Sequence, residues 1–213
     1  FCLRPGPPDA SGDVDVPGLA QSVAEGLTLA EFSGATHKTV EPLPHTAVRL
    51  TIVVRDIEDG SPETSLRVEA ALSRGRLLGE CSNLARTLSN EPGNALTPRE
   101  FASRAAQLAS DGGASVEILD EKRIEALGMG LLLGVARGSA EPPWLVVVRH
   151  DPPGLTTGPV LGLVGKGITF DTGGISIKPA DGMERMKDDM AGGAAVVCAM
   201  RAIAKLGAPI RVV

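Results

Sequence analysis

The sequence contains no tyrosine, and aromatic residues make up only 2% of its 213 residues. Proteins that bind single-stranded nucleic acid usually stack the bases on aromatic side chains. The net charge is −5 at pH 7, and no long basic run is present. A chain of this composition exerts little attraction on nucleic acid or on an anionic membrane surface. We therefore expect neither of them to be its main partner.

Cysteine and histidine are also scarce. The three cysteines are far apart in the sequence: Cys2, Cys81 and Cys198. The three histidines are isolated as well: His37, His45 and His150. Because no Cys-x-x-Cys or His-x-x-x-His pair is present, we expect neither a disulfide framework nor a histidine zinc site. The histidines are expected to be structural or solvated, and the cysteine pattern fits a reduced, cytoplasmic compartment.

Long hydrophobic runs are missing too. A membrane-spanning helix needs roughly 18 or more consecutive apolar residues, and the longest apolar stretches here, 127–136 and 190–200, are interrupted by glycine. The beginning of the sequence lacks the basic and then apolar pattern of a secretory signal. Its first residue is Phe1 and not methionine, so we expect a trimmed or partial chain.

Hydrophobic residues make up 43% of the chain, which is enough for a real core. Apolar periodicity, caps and turn residues predict five helices, at 16–32, 63–89, 98–110, 121–127 and 190–206. Alternating or continuous apolar runs predict five strands, at 48–54, 116–119, 145–148, 160–164 and 210–213. The runs 145–148 and 160–164 are expected to be buried on both faces. This order predicts an α/β fold with a mixed, largely parallel sheet flanked by helices.

The stretch 164–190 places four charged residues among glycine and apolar residues: Lys166, Asp171, Lys178 and Asp189. Burying a charge is costly unless it is paired or bound to a metal. The stretch is therefore expected to form the wall of a polar site. Asp171 follows an apolar run and precedes Thr-Gly-Gly, so it is either a metal-binding carboxylate at the end of a strand or a residue that caps a turn.

The other charged residues of the stretch have alternative interpretations as well. On the residues alone, Lys166 is expected to form a salt bridge with Asp171. The sequence argues against a phosphate-binding loop, because that motif needs Ser or Thr after the lysine, where Gly167 stands, and because its first glycine is misplaced. Lys178 precedes a proline, which predicts an extended or turn segment, and it could be a solvated loop lysine. Asp188 and Asp189 precede the last helix and could cap it.

Three ordered motifs resemble one known family. Residues 165–178, Gly-Lys-Gly-Ile-Thr-Phe-Asp-Thr-Gly-Gly-Ile-Ser-Ile-Lys, resemble the metal-site signature of the M17 family of leucyl aminopeptidases. Residues 90–98, Asn-Glu-Pro-Gly-Asn-Ala-Leu-Thr-Pro, are similar to the family's linker into its catalytic domain. Residues 128–130 with 138–139 and 142–143 are similar to its next segment. The similarity extends from about residue 68 to the last residue and is weaker upstream.

The resemblance implies a zinc-exopeptidase-like catalytic domain, here incomplete, at 90–213. It also implies a linking helix at 63–89 and a remnant of an α/β N-terminal domain at 1–62. Its implied function is a two-metal aminopeptidase that releases N-terminal amino acids from peptides with a free N-terminus. Two divalent ions, Mn²⁺ or Zn²⁺, would activate a water and polarise the scissile carbonyl. Family members assemble as hexamers.

By the same resemblance, three residues are implied as metal ligands: Lys166, Asp171 and Asp189. Lys178 is implied as the catalytic residue that stabilises negative charge on the substrate carbonyl oxygen. Ser176 and Met186 lie in the same loop. They are expected to contact substrate together with Lys166, Asp171 and Lys178, although Met186 could equally be a packing residue.

The family completes its site with an Asp, a Glu and an Arg from a later motif, Asn-Thr-Asp-Ala-Glu-Gly-Arg, which this sequence does not contain. Three ligands cannot fill two coordination spheres of roughly four to six donors each. We therefore expect the 213 residues alone to be inactive and to bind metal weakly or not at all. The alternative is a non-catalytic truncated homologue that acts as a binding or assembly module. DNA binding, known for some bacterial relatives, finds no support in the charge pattern.

Overall fold

The computed structural model describes residues 15–39, 51, 53 and 61–213. Its α-helices are α1 Val16–Ala30, α2 Pro62–Asn90, α3 Pro98–Gly112, α4 Glu121–Ala126, α5 Gly130–Ala136 and α6 Ala191–Lys205. Its strands are β1 Ser115–Leu119, β2 Leu145–Arg149, β3 Val160–Leu161 and β4 Arg211–Val212. A 3₁₀ helix, Met183–Asp188, precedes α6. All five predicted helices are confirmed.

The chain divides into two compact units, Phe1–Asn83 and Leu84–Val213. The predicted strand at 48–54 lies outside the described residues, apart from positions 51 and 53. The assignment of residues 1–62 to an N-terminal domain, of 63–89 to a linking helix and of 90–213 to a catalytic domain stays a prediction.

In the first unit, α1 packs closely on α2 because glycines of α2 face α1. A Cβ added at Gly75 would lie 2.2 Å from the carbonyl oxygen of Gln21, and one at Gly79 would lie 2.7 Å from the Cβ of Thr28. The Asn83 side-chain amide donates a hydrogen bond of 2.6 Å to the carbonyl oxygen of Thr28. Small residues on α2 thus allow the two helix backbones to approach each other.

In the second unit, α3 begins and ends with strong local signals. The Thr97 hydroxyl accepts a hydrogen bond of 3.3 Å from the Glu100 amide, and proline occupies the first turn. The helix is closed by Gly113, whose φ of 95° lies in the left-handed region that favours glycine. Thr97 and Glu100 thus form only the threonine half of a capping box, because the Glu100 carboxylate accepts a hydrogen bond from Arg104 instead.

The strands form two two-stranded ladders. β1 and β2 pair antiparallel, and β3 and β4 pair parallel, with Val160 opposite Arg211. A bridge between His150 and Val212 adjoins both ladders. The α/β fold is confirmed, but among the described residues the expected largely parallel sheet consists of one antiparallel and one parallel pair. His150 is structural, as expected, because it is buried and its Nε2 lies 2.9 Å from the carbonyl oxygen of Ala208.

Two expectations about apolar segments were wrong. The run 160–164 was expected to be a strand buried on both faces, but β3 has only two residues, Val160 and Leu161, and they are 45% and 50% exposed. In β2, only Val148 is fully buried. Helix α5 was not predicted at all, since glycines interrupt its apolar pattern. An apolar run indicates that its side chains favour burial. They become buried only where other elements pack over the run.

The core of the second unit consists of two clusters of buried residues. One lies around the start of α6 and contains Leu88, Leu96, Phe101, Met190 and Ala194. The other lies between α3, α6 and the strands and contains Ala109, Ala114, Val148, Met200 and Val212. The first cluster includes Met190, the last residue of the charged stretch. In the part of the chain that the structure describes, no helix combines the length and the apolar character of a membrane span.

Candidate metal centre

The charged stretch approaches the beginning of α6 through glycine contacts. The Gly193 amide donates a hydrogen bond of 2.7 Å to the carbonyl oxygen of Lys166. A Cβ added at Gly165 would lie 2.6 Å from the carbonyl oxygen of Gly192. The glycines at the start of α6 therefore pack closely against the backbone of residues 165 and 166. This packing places Lys166 beside Asp189, the second residue before α6.

Lys166 and Asp189 form an ion pair, with the Lys166 Nζ 2.8 Å from the Asp189 Oδ2. The lysine side chain is 58% exposed and the aspartate side chain 23%. The Asp189 Oδ2 is itself closed off from solvent and accepts no hydrogen bond of good geometry, so its contact with the ammonium is an ion pair alone. The Asp189 carboxylate raises the pKa of Lys166 above its ordinary value, with Asp171 adding to the effect.

Lys178 and Asp171 form the second pair. The Lys178 Nζ donates a hydrogen bond of 2.9 Å to the Asp171 Oδ2, and it lies 3.4 Å from the Met186 Sδ. The Gly173 amide donates a hydrogen bond of 2.8 Å to the Asp171 Oδ1. The hydrogen bond from Lys178, followed by the one from Gly173, lowers the pKa of Asp171. Asp171 thus caps a turn and is ion-paired at the same time.

The prediction of a salt bridge between Lys166 and Asp171 was wrong, because Lys166 pairs with Asp189. The loop from Asp171 to Lys178 is closed by a hydrogen bond of 2.9 Å from the Lys178 amide to the carbonyl oxygen of Thr172. This closure brings the Lys178 ammonium back to Asp171, while the contact with α6 brings Lys166 to Asp189. The capping role considered for Asp188 and Asp189 is not observed either, because Met190 is the N-cap residue and α6 has no side-chain cap.

Of the remaining predicted site residues, Ser176 lies in this loop and Met186 lies in the 3₁₀ helix Met183–Asp188. Met186 contacts the Lys178 ammonium through its sulfur. The side chain of Ser176 is exposed, and its backbone turns against Gly173, where a Cβ would lie 2.3 Å from the Ser176 carbonyl oxygen. The structure therefore brings Lys166 to Asp189 and brings Lys178 to Asp171 and Met186. Ser176 makes no side-chain hydrogen bond among the described residues.

The turn-capping interpretation of Asp171 is observed, but its donor, the Gly173 amide, was not predicted. The Gly173 amide binds one oxygen of the Asp171 carboxylate, and Lys178 binds the other. An aspartate that binds the amide two residues further on is a common turn, so the Asp-Thr-Gly order was the signal that could have revealed it. This bond fixes the orientation of the carboxylate plane.

The donor chemistry of the two pairs fits a divalent cation in part. Carboxylate oxygens suit hard or borderline ions, and the Asp189 Oδ2 is a buried anionic oxygen without a hydrogen bond. No group of three or more His, Cys, Asp or Glu side chains suited to a metal occurs within residues 15–39 and 61–213. The described residues thus offer two carboxylates, each neutralised by a lysine, and would need further donors to enclose two ions.

Comparisons with known proteins agree on one family. Residues 83–213 match the cytosol aminopeptidase family, catalytic domain. The chain is 50% identical over 188 residues to the probable cytosol aminopeptidase of Solibacter usitatus, covering 88% of this chain and 37% of the relative. It is 42% identical over 206 residues to that of Acidobacterium capsulatum, covering 97% of this chain and 39% of the relative.

Solved structures give the same result. The bottromycin maturation enzyme BotP in complex with Mn is similar with a TM-score of 0.74 and 37% identity, covering 91% of this chain and 38% of BotP. The apo leucyl aminopeptidase from Trypanosoma cruzi is similar with a TM-score of 0.61 and 33% identity, covering 66% of this chain and 27% of that protein. The chain spans less than two fifths of the length of these relatives. It belongs to the cytosol aminopeptidase family and carries residues of that family's catalytic domain.

Proposed function

We propose that the stretch 164–190 forms part of the catalytic site of a two-metal aminopeptidase. This enzyme would release N-terminal amino acids, leucine among them, from peptides. The observation that carries the proposal is the pair of carboxylates, Asp171 and Asp189, each held by a lysine of the same stretch. Membership of the cytosol aminopeptidase family supports it. The similar BotP structure contains Mn, which supports a divalent metal such as Mn²⁺ or Zn²⁺.

Asp171, Asp189 and Lys166 are the proposed metal ligands. A bound divalent ion would supply Lewis acidity and a water of lowered pKa. Lys166 can donate to a metal only as a neutral amine, and the Asp189 carboxylate opposes loss of its proton. Lys166 would lose its proton more readily beside a bound divalent ion, because a nearby cation disfavours the protonated form. We therefore propose that metal binding and deprotonation of Lys166 are coupled.

Lys178 is the proposed catalytic residue. Its ammonium is held by Asp171 and by the Met186 sulfur, so it is a fixed positive charge in a loop closed by backbone hydrogen bonds. Such a charge stabilises an oxyanion more than it stabilises a neutral carbonyl. In this proposal Met186 positions the ammonium from the 3₁₀ helix, and both Met186 and the exposed Ser176 contact the substrate.

The donor count leads to a second part of the proposal. Two ions need more ligands than two carboxylates and one amine provide. We propose that the 213 residues alone turn over no substrate and bind metal weakly, and that turnover requires a protein of the relatives' full length. We further propose a cytoplasmic location and a homo-oligomer, hexameric as in the family, for that protein.

An assay with an amino-acid anilide and Mn²⁺ tests the proposal on the full-length protein. Asp189→Asn should abolish most activity, whereas Asp188→Asn, a neutralisation one residue away, should leave it nearly unchanged. Lys178→Gln should lower kcat on the order of 10²–10³-fold, the effect of losing one oxyanion donor, while Lys205→Gln at the far end of α6 should not. Equal activity of the Asp188 and Asp189 variants would contradict the ligand assignment.

The same assay on the 213-residue chain tests the donor count, because robust turnover by that chain would overturn it. If the full-length protein turns over no anilide with any divalent metal, the non-catalytic alternative, a binding or assembly module, replaces the enzyme.

A further inference from the structure

The turn formed by residues 90–96, called here the 90–96 turn, is firmly anchored within the second unit. The amides of Ala95 and Leu96 both donate hydrogen bonds of 2.9 Å to the carbonyl oxygen of Pro92. The side chain of Glu91 is buried and forms an ion pair with Arg104 of α3. The turn is therefore held by its own hydrogen bonds and is attached to α3 by a contact that does not involve the charged stretch.

One side of the 90–96 turn contacts the segment that carries Asp171. A Cβ added at Gly93 would lie 3.2 Å from both the Cβ and the Cδ2 of Phe170, the residue immediately before Asp171. This distance is shorter than most contacts of a Cβ, so a methyl group at position 93 requires Phe170 to move by a few tenths of an ångström. Because one of the two contacts is with the Cβ, rotating the Phe170 ring cannot relieve it, and the backbone beside Asp171 would have to shift.

The other side of the 90–96 turn contacts the segment that carries Asp189. The Lys187 ammonium donates a hydrogen bond of 2.6 Å to the carbonyl oxygen of Asn90, the last residue of α2. A cation is favourable at that helix end, where carbonyl oxygens lack partners. Leu96 and Met190 belong to the same fully buried cluster. Residues on both sides of Asp189 are thus fixed to the turn.

We propose that the 90–96 turn sets the separation of the Asp171 and Asp189 carboxylates, with Gly93 and Lys187 as positioning residues. Neither residue touches the carboxylates; each acts through a neighbour in the chain. A site that binds two ions tolerates little error in ligand placement, and a single turn that contacts both acidic segments satisfies this need. The positioning role of the turn does not require a bound metal. Only its expected effect on metal affinity rests on the proposed function.

The first test uses the metal-free 213-residue chain. In Gly93→Ala, the chemical shift of the Gly173 amide should change and its hydrogen-exchange protection should fall on the order of tenfold, as expected for local overpacking of about 1.4 kcal/mol. The matched control is Gly134→Ala in α5, where an added Cβ meets no atom within 4 Å. A positioning role predicts changes near Asp171 while amides of the α3 core, such as that of Ala105, keep their protection.

A uniform loss of protection across the core in Gly93→Ala would show a general stability role and would overturn the proposal, as would behaviour identical to Gly134→Ala. If Gly93→Ala does not fold, Lys187→Gln tests the positioning role in its place, with Lys205→Gln as the control. Lys187→Gln should shift the amides of residues 186–190 and leave the core unchanged. The absence of such a shift would equally overturn the proposal.

The second test measures Mn²⁺ affinity of the full-length protein by titration of the free Mn²⁺ signal in electron paramagnetic resonance. Gly93→Ala should weaken binding on the order of tenfold, and Gly134→Ala should not. If the unsubstituted protein binds no Mn²⁺, the proposed function fails, while the exchange measurement on metal-free protein still decides whether the turn positions the carboxylates. Unchanged affinity in Gly93→Ala, with binding in the unsubstituted protein, would overturn the positioning role.

Discussion

The Gly193 amide donates a hydrogen bond of 2.7 Å to the carbonyl oxygen of Lys166. This bond joins the first turn of α6 to the stretch that follows β3. The amides of a helix's first turn have no partner within the helix, and here one of them is satisfied by the backbone of a proposed site residue. The same contact brings the Lys166 side chain to Asp189, so backbone packing determines which lysine meets which carboxylate.

The closeness of this contact predicts opposite outcomes for two neighbouring glycines. A Cβ at Gly165 would lie 2.6 Å from the Gly192 carbonyl oxygen and 2.8 Å from the Gly193 Cα, both rigid backbone atoms. Gly165→Ala should therefore lower the free energy of unfolding by about 1–3 kcal/mol, the usual cost of overpacking. Gly192→Ala places its Cβ at an ordinary 3.5 Å from the Lys166 amide nitrogen and should be neutral or slightly stabilising. Urea unfolding of both variants tests this, and equal destabilisation would contradict the packing argument.

The helices were predictable because their signals are local. The Thr97 cap, the glycine at position 113 and the apolar stripes depend on neighbours within one or two turns. The polar site could be located for a similar reason, since four charges among glycines and apolar residues need a shared explanation. Helix α5 escaped prediction because glycine at 130 and 134 weakens a helical pattern.

The pairing of charges could not be predicted in the same way. Lys166 is closer in sequence to Asp171 than to Asp189, yet it pairs with Asp189. The choice depends on how α6 approaches the stretch, which is a tertiary contact between glycines. The short, exposed β3 is a similar case, because the sequence shows that residues 160–164 are apolar but not which elements cover them.

The Lys178 hydrogen bond predicts a measurable change in the titration of Asp171. In Lys178→Gln the pKa of Asp171 should rise toward its ordinary value, because the largest cause of its lowering is removed and only the Gly173 amide and the more distant Lys166 remain. Carboxyl carbon shifts followed by NMR over pH measure this, with Lys205→Gln as control. An unchanged pKa of Asp171 in Lys178→Gln would contradict the pair.

The same pair predicts how stability depends on pH. A carboxyl group with a lowered pKa in the folded state contributes stability that is present above its unfolded pKa of about 3.9 and lost as pH falls through the folded pKa. Lys178→Gln should therefore be less stable than the unsubstituted chain at neutral pH, and the difference should shrink in acid. Urea unfolding at neutral pH and below the lowered pKa of Asp171 compares the two. A difference that stays constant over this range would show that the loss does not come from the ion pair.

The unequal exposure of Lys166 and Asp189 predicts an asymmetry between their neutral variants. Asp189→Asn leaves Lys166 with a mostly exposed ammonium, which water can solvate. Lys166→Met leaves the closed-off Asp189 Oδ2 without its counter-charge, and a buried charge without a partner is costly. Lys166→Met should therefore be the more destabilising of the two in thermal unfolding without metal. The reverse order would mean that water reaches the Asp189 oxygen.

Arg104 binds two carboxylates that differ in burial, and this predicts different costs for removing each of them. The Glu91 side chain is only 10% exposed, whereas that of Glu100 is 44% exposed and lies one helical turn from Arg104. Exposed pairs of that kind contribute about 0–1 kcal/mol, so Glu100→Gln should change the free energy of unfolding little. Glu91→Gln should cost about 1–3 kcal/mol, because it removes a buried partner and leaves the 90–96 turn less firmly attached to α3. Urea unfolding of the two variants, with Arg104→Met as a common reference, measures both costs, and an equal loss in both would show that the buried pair does not anchor the turn.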